Sequence, residues 1–119
     1  MLDGFRILVV EDNPIIAMDL EMTLRGAGGT VIGPFHALPD LAALCVHPDA
    51  AVLDIELEEG TVFPIAERLR ADGVPILFHT GFRNTSYVRF HYPRASIHMK
   101  PALPEDILSS LEDLVRTFH

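Results

Sequence analysis

Unbroken apolar runs alternate with stretches that place apolar residues three or four apart, a pattern that predicts βα units and a parallel sheet. The runs are Ile7-Leu8-Val9-Val10, Ala50-Ala51-Val52-Leu53, Val74-Pro75-Ile76-Leu77-Phe78 and a weaker one ending at Met99. The first strand is expected over Phe5 to Val10 and a second over Thr30 to Ile32. Ala50 to Leu53 is uniformly apolar, as a central strand covered on both faces would be. Two more strands are expected at about Pro75 to His79 and Ala95 to Met99. Between them, Asn13-Pro14 opens a helix by capping and by proline's fixed φ. Ile16, Leu20, Leu24 and Ala27 form its inner face, and Glu21 and Arg25 pair on another. A short helix is expected over Pro39 to His47, and a third begins after Gly60-Thr61 with Phe63, Ala66 and Leu69 inward. The last helix begins at Pro104, with Glu105 and Asp106 in its first turn, where the dipole favours acids. Its stripe of Ile107, Leu108, Leu111, Leu114, Val115 and Phe118 has the 3.6-residue period. Gly81 to Arg94 is the weak segment. Thr85 to Tyr92 holds mediocre helix formers, so a short or mobile helix is expected there.

The chain has 119 residues, a length that suits one domain over 1–119. Its formal net charge is −8, and eight of its nine basic residues are arginines that form no run. That balance argues against nucleic acid as a partner. The single cysteine, Cys45, excludes an internal disulfide, and its apolar neighbours predict an inert core thiol. No signal-peptide pattern opens the sequence and no stretch approaches the ~20 apolar residues of a membrane span, so no membrane contact and a cytoplasmic location are expected. The six histidines show no ligand spacing. His79 and His98 read as packing or rim residues. Tyr87, Phe90 and Tyr92 read as core or partner contacts.

The chemistry lies where the apolar runs end. Glu11-Asp12 follow the first, Asp54 the second, Thr80 the third, and Lys100-Pro101 the last; Lys100 is the only lysine. Open parallel sheets bind ligands beyond the carboxyl ends of their strands. Three carboxylates, a hydroxyl and an ammonium would converge there. Like charges so close favour a bound cation, and hard oxygen donors with room for water suit Mg²⁺. A carboxylate can attack phosphorus, while a lysine, a hydroxyl and a metal hold the phosphoryl oxygens.

Taken in order, Ile7 to Asn13, Val52-Leu53-Asp54, Phe78-His79-Thr80-Gly81 and Met99-Lys100-Pro101 resemble the receiver (CheY-like) domain of two-component response regulators, over essentially the whole chain. The resemblance implies a doubly wound, flavodoxin-like (βα)5 sheet of strand order 2-1-3-4-5. It implies that Asp54 accepts a phosphoryl group from a histidine kinase or phosphotransfer protein, in a Mg²⁺-dependent reaction that the domain itself catalyses. Asp12 would bind the metal directly, Glu11 through water, and Glu56 through its backbone carbonyl. Thr80 matches the switch hydroxyl and Lys100 the invariant-type lysine, with a cis peptide before Pro101. A narrower likeness runs through Asp54 to Gly60, Phe63 to Ala66 and Phe78 to Phe82. It is to single-domain receivers with a Phe-Ala-Thr-Gly-aromatic signature, associated with HWE-type kinases; His79 departs from it.

Ile97 stands where most receivers carry an aromatic ring. Switching is therefore expected to order Gly81 to Arg94 instead, with Thr80 pulling on Gly81 and Phe82. No effector domain is expected after Phe118-His119, so output would be contact with an unknown downstream protein, competition for the kinase, or a phosphate sink; if the 119 residues are a fragment, an appended effector is the alternative. Two other site types compete. A Toprim-like nuclease uses paired acids such as Asp54 and Glu56 but gives Lys100-Pro101 no role. A haloacid-dehalogenase-like phosphatase needs Asp-x-Asp, which Glu56 breaks. An interaction domain with a vestigial pocket is the third alternative.

Overall fold

The computed structural model describes residues 1–44, 47–81 and 83–119. The elements in order are β1 (Arg6–Val10), α1 (Pro14–Gly26), β2 (Thr30–Phe35), α2 (Leu41–Leu44), β3 (Ala50–Leu53), β4 (Glu56–Leu57), β5 (Gly60–Thr61), α3 (Phe63–Ala71), β6 (Ile76–Thr80), α4 (Ser86–His91), β7 (Ser96–Met99) and α5 (Pro104–Phe118). Five parallel strands form one sheet in the order β2-β1-β3-β6-β7. With the small β4–β5 hairpin set apart, this is the expected 2-1-3-4-5 order of a flavodoxin-like α/β fold.

The pleat sends alternate residues to two apolar layers. Leu8, Val10, Ala51, Leu53, Ile76 and Phe78 pack on the side of α3 and α4. Ile7, Val9, Ala50, Val52 and Leu77 pack against α1 and α5. All four residues of β3 are buried, which explains its lack of alternation. The α5 stripe buries Ile107, Leu111, Leu114 and Val115, while Leu108 and Phe118 sit at its half-buried edge.

Several expectations need correction. The inner face of α1 is Ala17, Leu20 and Leu24, followed by Ala27, and Ile16 is only half-buried. The cap is as expected: the Asn13 Oδ1 accepts from the Ile15 and Ile16 amides. In α3 the buried residues are Ile65, Ala66 and Leu69, with Phe63 at the margin. The second helix is shorter than Pro39 to His47, and the Cys45 thiol lies outside the described residues. The fourth helix is short, as expected, and only Val88 is buried within it. Tyr92, next after it, is 3% exposed and joins the core. Its ring meets Phe78 edge-on and stacks on Phe63, and its hydroxyl donates to Glu67 of α3 at 2.6 Å.

Strand β2 runs past Ile32 to Phe35 because a bulge carries it through Gly33-Pro34. The register steps from Leu8–Ile32 to Val10–Phe35, two residues on β1 against three on β2. Gly33 has φ +102°, and a Cβ there would lie 2.7 Å from the Phe35 nitrogen and 3.0 Å from the Val9 oxygen. Only glycine meets both demands. The bulge brings the Phe35 carbonyl to the Glu11 amide, at 2.8 Å.

Candidate functional site

The backbone ladder continues past the strand ends and fixes the residues that follow. Glu11 N–H donates to the Phe35 carbonyl, Asp54 N–H to that of Val10 (2.9 Å), and Lys100 N–H to that of Thr80 (2.8 Å). Four side chains from three strand ends thereby meet at one edge of the sheet. Carboxylate oxygens of Glu11, Asp12 and Asp54 lie within 4.8 Å of one another. Lys100 Nζ donates to Asp54 Oδ2 and to Glu11 Oε2, both at 3.0 Å, and stands 2.8 Å from Glu11 Oε1. Glu11 Oε2 also accepts from the Asn13 amide at 3.0 Å, so it is held from two directions. His36 Nδ1 lies 3.0 Å from the Glu11 carbonyl, a contact that no spacing in the sequence announces.

Burial sharpens the electrostatics. Glu11 is 1% and Asp54 5% exposed, and Asp12 is half-buried. Desolvation, with Lys100 pulling the other way and Glu11 reinforcing it, pushes Asp54 up to about 7 from 3.8. Burial alone would lower Lys100; its hydrogen bonds to Glu11 and Asp54 outweigh that and raise it. One ammonium facing three carboxylates leaves the cluster short of positive charge, and the donor set is all oxygen. That combination fits a hard divalent cation such as Mg²⁺.

Thr80 is buried at the end of β6, paired in register with Met99 and tied by its carbonyl to Lys100. The Lys100-Pro101 peptide is cis, as expected. Glu56 sits in β4 with its side chain exposed, and its carboxylate is not among the clustered acids. The β4–β5 hairpin was not legible beforehand. It is tied back by Glu59, whose carboxylate accepts from the Leu38 amide at 2.9 Å. Ile97 is half-buried in β7 against the α3–α4 core. His98 bonds Ser110 at 2.7 Å, a packing role. His79 is 5% exposed, and among the described residues neither ring nitrogen has a hydrogen-bond partner. Burial, with Lys100 and His98 adding to it, lowers His79 to about 4.

A parallel doubly wound sheet with an acidic cluster and one lysine at its carboxyl edge places this chain among flavodoxin-like α/β domains whose ligands lie beyond the strand ends. No family model matches the chain. Among curated proteins it is 34% identical over 117 residues to the DNA-binding response regulator MtrA of Mycolicibacterium smegmatis, covering 93% of this chain and 50% of that protein. The chain spans half or less of the length of the curated relatives it matches. The solution structure of SdrG from Sphingomonas melonis is 33% identical, covers 93% of this chain and 96% of that chain, and superposes with a TM-score of 0.74. A response regulator receiver protein from Sinorhizobium medicae shares the fold over 100% of both chains, with a TM-score of 0.83 at 21% identity. The chain belongs to the receiver (CheY-like) domains of two-component response regulators.

Proposed function

We propose that the chain acts as one phosphoacceptor receiver domain over 1–119, in which Asp54 takes a phosphoryl group from a histidine kinase or phosphotransfer protein. The observation that carries this reading is Lys100 Nζ at 3.0 Å from Asp54 Oδ2, beside the carboxylates of Glu11 and Asp12. An Asp54 oxygen attacks the phosphorus of a phosphoimidazole. The P–O bond forms as the P–N bond breaks, and the imidazole leaves with the bonding pair. Lys100 exchanges its contact with the free carboxylate for one with a phosphoryl oxygen, and the Thr80 hydroxyl bonds another. Glu11, Asp12 and Asp54, with the Glu56 carbonyl, would hold Mg²⁺, which supplies neutralisation of the charge that builds on the oxygens. The domain thus catalyses its own modification and its own slow hydrolysis, and passes the signal by contact with another protein or by serving as a phosphate sink. The narrower likeness to receivers served by HWE-type kinases, and a place in the cytoplasm, belong to the same proposal.

The test is the intact mass after incubation with Mg²⁺ and acetyl phosphate. One phosphoryl adduct, labile to alkali and lost in Asp54→Asn or on removing the metal with EDTA, is the expected result. An unmodified mass under conditions where the protein stays folded would reject the reading. So would an adduct that persists in Asp54→Asn.

A further inference from the structure

His79 has no role in the chemistry proposed at Asp54, yet it is buried at a cost. It is 5% exposed, and among the described residues neither ring nitrogen has a hydrogen-bond partner. A buried polar group left unpaired loses its water and gains nothing in return. His98, its register partner on β7, does bond, to Ser110 of α5 at 2.7 Å. The pleat of β6 turns His79 to the side of Leu77, against α1 and α5, and away from the layer that holds Phe78. There it borders an open cavity of about 620 Å³ between those two helices. Leu20, Ile107, Pro101 and Ala102 give the cavity apolar walls, and the half-buried Ile16 of α1 opens onto it. Its volume is in the range that takes small ligands.

We propose that this cavity binds a small uncharged molecule, an apolar body with a single hydroxyl, N–H or amide head that hydrogen-bonds to the His79 ring. Burial, with Lys100 and His98 adding to it, lowers the imidazole to about 4. It is therefore neutral at neutral pH and offers one N–H and one bare nitrogen. A hydroxyl or an amide can meet either. Both ring nitrogens are covered, so binding turns the ring about its Cβ–Cγ bond, a torsion with a broad well. No hydrogen bond is given up in that turn. Charged ligands are disfavoured. Lys100 lines the cavity and opposes a cation, and its ammonium is already held by Glu11 and Asp54, so an anion finds no free partner in it. The exposed Asp19 at the rim repels an anion further. The nearly covered ring lies behind α1 and α5, out of reach of a protein surface laid across them, so the occupant is a small molecule and not a partner's face. The inference goes beyond phosphoryl transfer at Asp54 and does not depend on it.

The test titrates the full labelled chain with phenol and, separately, with toluene, followed by NMR of the methyl groups and of the imidazole nitrogens. The two probes have nearly the same shape, and only phenol carries the head. Saturable shifts at the Ile16, Leu20 and Ile107 methyls are expected, half-complete at about a millimolar phenol, as suits so small a ligand. In the wild type, phenol should move the His79 ring nitrogens and toluene should not. In His79→Leu the ratio of phenol affinity to toluene affinity should fall about fivefold, the worth of one ordinary hydrogen bond, whatever the substitution does to packing. Benzoate and benzylammonium should give no saturable shift at these methyls. The titration runs in EDTA without a phosphoryl donor, so its failure and the failure of the Asp54 adduct are separate results. An affinity ratio unchanged in His79→Leu, ring nitrogens that ignore phenol, benzoate bound as well as phenol, shifts on another face, or no saturable binding of phenol would overturn the proposal.

Discussion

The carboxylate at the centre of the site is a burden on the fold, and Asp54→Asn should make the protein more stable. Asp54 is 5% exposed and shares its lysine with Glu11. Its folded value, about 7 against 3.8 unfolded, means that the native state binds the Asp54 proton more tightly than the unfolded chain does. The native state therefore gains least where Asp54 is charged. The penalty is absent below the unfolded value, grows as pH rises, and is complete above about 7. A gap of about 3 units corresponds to a ceiling of about 4 kcal/mol. The asparagine gives up an ion pair with Lys100 and removes a like charge from beside Glu11, both already within that balance. A gain of about 2–4 kcal/mol at pH 8 in EDTA is expected, which moves the urea midpoint by roughly 1–2 M at the slopes usual for a domain of this size. Urea melts of both proteins from pH 4.5 to 8.5 measure it. The difference should shrink towards the acid end. Equal midpoints at pH 8, or a difference that ignores pH, would refute the reasoning.

Three further outcomes follow from the same structure. His79, lowered from 6.5 to about 4 by burial, contributes stability that is present above its unfolded value and lost as pH falls towards about 4, roughly 3 kcal/mol in all. Its slope opposes that of Asp54, so it is read in the Asp54→Asn background, where His79→Leu should flatten the loss between pH 6.5 and 4; an unchanged slope would count against it. Gly33→Ala should destabilise by about 1–3 kcal/mol, because it strains a positive φ and meets backbone on both sides; a thermal midpoint equal to wild type would show that the bulge is not under this constraint. Mg²⁺ should raise the melting temperature of the wild type, since a ligand held by the native state alone stabilises it, and the rise should vanish in Asp12→Asn; a rise of equal size in the variant would place the ion elsewhere.

The site was legible because its residues end apolar runs. Glu11, Asp54 and Lys100 are each one step past a strand, so a parallel sheet brings them together without any long loop having to be guessed. The uniform burial of Ala50 to Leu53 gave the centre of the sheet for the same reason. What could not be read depended on contacts distant in sequence. The extension of β2 to Phe35 rests on a bulge against Val9 and Val10. The β4–β5 hairpin pairs only two residues on each side and is tied by Glu59 to Leu38. The choice of Ala17 over Ile16 as the inner residue of α1 turns on the helix's rotation against β1 and α5, to which a 3.6-residue period is blind. His79 packs as its setting predicts, but that neither ring nitrogen finds a hydrogen-bond partner among the described residues is a property of its surroundings and not of its position in the chain.

The chain has no tryptophan and two tyrosines, one open to water on α4 and the other clasped by a carboxylate in the core. Tyr92 rests on Phe78, two residues ahead of Thr80 on the same strand. Any rearrangement that starts at the hydroxyl of β6 and spreads towards the fourth helix must therefore disturb a phenol whose ultraviolet spectrum differs from that of its exposed sibling. The protein carries its own optical probe of that movement, and no dye need be attached to follow it.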